Sequence, residues 1–109
     1  MKRGNLFEPV KRTSVEFIEN LICDLSSSIR IERIVSEGDI SPENFWYDQD
    51  EWEWVTVLQG SATLEFKSER EKISMTAGDW IFISAHEQHR VIFTSSKPSC
   101  VWLAVFGKS

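Results

Sequence analysis

The chain is poor in the residue types that most often announce a chemistry. Its 109 residues include two cysteines and two histidines. Cys23 and Cys100 stand far apart and in no metal-type spacing, so they read as separate free thiols rather than as a disulfide framework or a nucleophile. His86 and His89 fall in one short stretch, and no Ser/His/Asp triad can be argued from them. There is no Gly-x-Ser-x-Gly elbow and no Walker-type phosphate loop. The 12 Lys and Arg are outnumbered by 17 Asp and Glu, for a formal charge of −5. The basic residues form no run. Phosphate neutralisation needs clustered positive charge, so no nucleic-acid partner is expected. No long apolar stretch offers a membrane span. The start, Met1-Lys2-Arg3-Gly4-Asn5, lacks the apolar run and small-residue cleavage site of a signal peptide, so a cytoplasmic location is expected. Repeats, linkers and low-complexity segments are also missing.

What is there suits one compact core. Five Trp and seven Phe are many for this length, and Trp46, Trp52 and Trp54 crowd into one region, where aromatic area can fill a core or line a pocket. Residues 1–12 read as an irregular arm, with Pro9 opposing an early helix. Thr13-Ser14-Val15-Glu16 has the capping-box pattern, and Ile18, Leu21, Ile22 and Leu25 follow at helical spacing. This predicts a short helix over about 14–24, ended by Ser26-Ser27-Ser28.

The period then changes to two. Strands are expected at 29–36, 53–58, 62–67, 72–75, 80–83, 89–94 and 101–106. Turns are expected at Glu37-Gly38-Asp39, Ser41-Pro42-Glu43-Asn44, Gln59-Gly60-Ser61 and Ala77-Gly78-Asp79. Many short strands separated by Gly and Pro indicate an all-β sandwich or closed barrel, with a jelly roll hiding most of its edges. The expected organisation is one domain: an N-terminal arm and short helix over 1–28, packed on a β-barrel over 29–109.

Polar residues interrupt two apolar strand faces. Glu53 alternates with Val55 and Val57, and His89 with Val91 and Phe93. A carboxylate and an imidazole on such faces need each other, a metal or a ligand. Gln49 enters the same region four residues before Glu53. His86, in a loop, cannot be aimed from sequence. Asp48, Asp50 and Glu51 read as a solvated acidic loop, and Arg33 and Arg90 as surface or ion-pair residues.

These residues resemble the two motifs of the cupin superfamily, over roughly residues 29–106. The first motif ends in Glu, six residues, then Gly, as Glu53 and Gly60 do. The same frame puts Tyr47 and Gln49 at the two histidine positions and Ser41 at the leading glycine. In the second motif Gly78 and His89 are in register, while Ser84 replaces the proline and His86 the glycine. The stretch Phe45 to Glu51 is also similar to that of small stand-alone bacterial cupins. The resemblance implies a double-stranded β-helix, the jelly-roll cupin barrel, and a homodimer. It also implies a divalent metal (Mn, Fe, Ni or Zn) on Gln49, Glu53 and His89, a set weaker than three imidazoles and a carboxylate. Tyr47 and His86 are the expected catalytic side chains, as proton donor or orienting group. Trp46, Trp54 and Phe93 are candidate pocket walls, although alternation against Glu53 and Val55 points Trp54 outward. A mainly structural role in an oligomer, through the N-terminal arm and the Trp-rich strands, is one open function, and two others stand beside it. One is a metal-dependent enzyme of the dioxygenase or isomerase range. The other is a non-catalytic module that binds a sugar or metabolite at a degenerate metal site.

Overall fold

In the computed structural model, residues 1–10, 16–23, 28–68 and 70–108 are described. They contain eight strands: β1 (Phe17–Cys23), β2 (Ile29–Ser36), β3 (Trp52–Gln59), β4 (Ser61–Phe66), β5 (Glu71–Thr76), β6 (Trp80–Ile83), β7 (His89–Thr94) and β8 (Cys100–Gly107). They form two antiparallel sheets, one in the order β1-β2-β8-β3-β6 and one in the order β5-β4-β7. This is an all-β jelly roll. Among the described residues no helix is long and apolar enough to cross a membrane.

The short N-terminal helix expected over 14–24 is not formed at 17–23. That segment is β1, paired antiparallel to β2 with Phe17 opposite Val35 and Cys23 opposite Arg30. Ile18 and Ile22 lie four residues apart, a spacing that would share one face of a helix and equally one face of a regular strand. The apolar pattern therefore could not separate the two. The edge of β2 decides, because its unpaired N–H and C=O groups gain partners only from a strand. A register shift between Asn20 and Ile22 then sets Ile18 opposite Ile34 but Ile22 opposite Ile31, so in β1 itself the two isoleucines fall on different faces. Thr13, Leu25, Ser26 and Ser27, which were to cap and end the helix, lie outside the described residues.

The core lies between the sheets. Val55, Val57, Leu64, Phe66, Met75, Ile83, Trp102 and Phe106 are buried in one cluster drawn from β3, β4, β5, β6 and β8. On the outer side of β2, Arg33 is 3% exposed. Its Nε donates to Glu19 Oε1 at 3.1 Å, and its Nη1 donates to the carbonyls of Leu6 and Glu8 at 3.2 and 2.9 Å. This arginine ties the N-terminal arm to the large sheet.

Two local features position the site. Gly60, at φ +79°, turns the chain from β3 in the large sheet into β4 in the small one. In β7, Leu64 pairs with Val91 but Thr63 with Phe93, so Ile92 is an extra residue. A bulge of one residue reverses which side chains point inward. His89 stays buried, Phe93 is half exposed, and Thr94 is buried in its place. The pocket wall expected of Phe93 is lost for this reason.

Candidate functional site

A cavity of about 390 Å³ opens between the two sheets. Apolar residues from several strands make its walls, among them Ile34, Val55, Leu64, Ile83, Trp102 and Phe106. Tyr47, Gln49, Glu53 and His89 all border it. Trp54 instead faces away and packs against Trp80, with ring centroids 6.1 Å apart. Trp46 lies beside the Lys67 ammonium and the Arg90 guanidinium, each 5.8 Å from its ring centre, and is not part of the lining.

Three of the expected side chains meet at one oxygen. Gln49 Nε2 donates to Glu53 Oε1 at 3.3 Å, and His89 Nε2 stands 3.7 Å from the same oxygen. Tyr47 reaches the group through the backbone: its N–H donates to the His89 carbonyl at 2.7 Å, and the His89 N–H donates back to Tyr47 O at 3.2 Å. The His89 ring is stacked between Tyr47 and Phe66, with centroids 5.5 and 5.9 Å away. Its Nδ1 lies 2.9 Å from the Glu87 carbonyl. A carbonyl only accepts, so Nδ1 carries the proton, and the neutral ring turns the Nε2 lone pair toward Glu53.

Burial governs the charge states. Glu53 is 9% exposed, and loss of water pushes its carboxyl from 4.5 up to about 7, against the opposing hydrogen bond from Gln49. His89 is held below its ordinary value, chiefly because burial penalises the cation. Burial also raises the Tyr47 phenol, which stays protonated. Near neutrality the imidazole and the phenol are therefore uncharged and Glu53 is partly ionised. The group can offer a carboxyl that donates or accepts, an imidazole nitrogen that accepts, and an amide that does both. Burial likewise pushes the Cys100 thiol up to about 12, which rules out a nucleophilic role there.

His86 is not brought to this group. Its side chain is 64% exposed, with Nδ1 2.6 Å from Asp48 Oδ1 and Nε2 3.8 Å from Asp50 Oδ1. Its backbone N–H donates to Gln49 O at 2.8 Å, so it joins the loop before β3 to the loop before β7. An exposed pair of this kind contributes about 0–1 kcal/mol. His86→Ala should accordingly shift denaturant unfolding by less than about 1 kcal/mol. A loss as large as that of a core substitution would show that the two loops are held as one unit.

Sequence reading missed Arg30 and Glu32, both of which border the cavity. Arg30 Nε donates to Glu32 Oε2 at 3.0 Å and Nη1 to Glu51 Oε1 at 2.6 Å. Its guanidinium lies 4.1 Å above the centre of the Phe106 ring. Strand alternation puts Arg30, Glu32 and Ile34 on one face. That face was not recognisable as the inner one, because the other face also carries isoleucine and valine.

The cupin domain family model matches residues 32–106. The chain is a cupin. A candidate mannose-6-phosphate isomerase from Ralstonia eutropha JMP134 is 39% identical, with each chain covered in full and a TM-score of 0.92. The polyketide cyclase RemF from Streptomyces resistomycificus is 22% identical, covers 100% of this chain and 80% of its own, and has a TM-score of 0.76. A cupin superfamily protein from Desulfitobacterium hafniense DCB-2 is 16% identical, covers 100% and 94%, and also has a TM-score of 0.76. These last two show the fold alone. No curated protein matches the chain.

The metal implied by the cupin resemblance can be tested against the donors. A three-imidazole site cannot be assembled from two histidines, one of which faces solvent beside Asp48. Tyr47 would have to bind as a phenolate, and its environment favours the phenol. Gln49 is a neutral oxygen donor, weak for Mn, Fe, Ni or Zn. Among the described residues no group of three or more His, Cys, Asp or Glu side chains is placed to hold an ion. The residues present do not fit the expected transition-metal centre.

Proposed function

We propose that this cupin binds one small organic molecule inside the barrel, with Glu53, Gln49 and His89 gripping its polar end and the apolar walls its body. The observation that carries this reading is the cavity of about 390 Å³, within the range of small-molecule pockets, with its polar groups converging at one place. Tyr47, stacked on His89 at the border of the cavity, is the group best placed to orient the ligand. The identity of the Ralstonia neighbour places a sugar phosphate among the compounds to test.

Native mass spectrometry of the full chain should show a retained small molecule, or a metabolite screen should raise its melting temperature. The Glu53→Ala, His89→Ala double variant should lose the effect. A barrel that retains nothing and responds to no compound would overturn the reading.

A second reading is a loosely held divalent ion, favoured by Gln49 and His89 approaching the same Glu53 oxygen at 3.3 and 3.7 Å. Elemental analysis separates the two. Mn, Fe, Ni and Zn are expected well below one per chain. Near-stoichiometric metal that disappears in the double variant would establish the ion instead.

A further inference from the structure

We infer that the barrel selects by charge, taking an uncharged or amine-bearing small molecule and rejecting phosphate esters and carboxylates. The inference rests on the barrel being a small-molecule pocket and names the class of ligand it takes. An anion entering a buried site needs cationic or multiple N–H partners to replace its water. Among the described residues that border the cavity, Arg30 is the sole Lys or Arg. It is already engaged by two carboxylates, Glu32 at 3.0 Å and Glu51 at 2.6 Å, and its guanidinium is laid on the Phe106 ring. This trio carries a formal net charge of −1, so an anion that met the remaining N–H groups of Arg30 would also meet the carboxylates of Glu32 and Glu51. Glu53 adds a further acidic group to the same wall, 3.7 Å from His89. The remaining side-chain donors near that end, the Gln49 amide and the Tyr47 hydroxyl, are neutral. A phosphate dianion placed here would face more carboxylate than cation. An ammonium group would find carboxylate oxygens, and Trp102 is among the residues that would line its carbon skeleton.

The test uses the full chain after dialysis against EDTA, so that adventitious metal cannot hold an anion. Cyclohexylmethylamine, cyclohexylmethanol and cyclohexanecarboxylate share one ring and differ in charge, and mannose 6-phosphate adds a phosphate ester. Calorimetry or thermal shift at neutral pH should rank amine first, alcohol second and carboxylate last, with at least about tenfold between first and last. Mannose 6-phosphate should give no stabilisation. Glu32→Gln releases one arm of Arg30 and should narrow or reverse that ranking. Carboxylate or mannose 6-phosphate binding as tightly as the amine would overturn the inference and leave the pocket reading intact. If no compound of any charge binds, the pocket reading fails and the inference falls with it.

Discussion

Glu53→Gln is expected to stabilise this cupin above pH 7 and to do so several-fold less at pH 5. The wild-type carboxyl is raised from 4.5 to about 7, first by burial. Below pH 4.5 it is protonated both folded and unfolded, so it carries no ionisation penalty. Between about 4.5 and 7 the unfolded chain releases its proton more readily than the folded one, so stability falls as pH rises. Above about 7 the penalty is complete, roughly 3 kcal/mol. Glutamine has almost the same shape, and its carbonyl can still accept from the Gln49 amide that now donates to Glu53 Oε1 at 3.3 Å. The variant removes the ionisable group and with it this slope.

His89 runs in the opposite sense. Its depressed value means that its contribution is complete above 6.5 and is lost as pH falls through the folded value. In Glu53→Gln this acid-side loss should stand alone. Urea unfolding at pH 5 and pH 8 checks both. An equal stability difference at the two pH values would show that Glu53 is not penalised by burial. A carboxyl kept in the core at such a cost is expected of a binding site rather than of a packing position.

Gly60→Ala is expected to be among the most damaging single substitutions, costing about 3 kcal/mol or more. Two effects combine. The residue has φ +79°, and a left-handed conformation costs an L-residue about 1–2 kcal/mol. An added Cβ would also fall on Ser95 Oγ and lie 2.7 Å from the Ser99 carbonyl and 3.1 Å from Cys100 Cα. Two of those three atoms are backbone at the start of β8, which cannot swing aside. Gly78→Ala is the control. Its φ is +95°, but nothing lies within 4 Å of its Cβ position, so only the conformational part, about 1–2 kcal/mol, should be lost. Equal losses in the two variants would remove the packing part of the argument.

Both variants concern residues that the sequence motifs picked out, and the site follows the same division. Strands β2, β6 and β7 begin and end where the period-two pattern and its turns place them, because alternation and turn chemistry are local properties. Glu53 could be read as inward because Val55 and Val57 share its face, and all three are buried. The N-terminal segment could not be read in this way. Ile18 and Ile22 satisfy both periods, and the choice of strand came from the open edge of β2. Phe93 was misplaced because a bulge depends on the register against β4, which no pattern within β7 reveals. Alternation and motif register marked His89 as inward, and the structure seals it between Tyr47 and Phe66, whereas His86, which no pattern could aim, is tied to Asp48 in solvent.

By itself, the sequence determined that this chain folds as a cupin jelly roll and that Glu53, Gln49 and His89 belong to one region. Spacing, alternation and turn residues are written in consecutive positions. Only the tertiary structure decided that His86 turns to solvent, that Arg30 and Glu32 join the cavity wall, and that Arg30 is already held by Glu32 and Glu51. Burial, proximity and ion pairing arise between residues far apart in the chain, and they exist only once the two sheets have closed on one another.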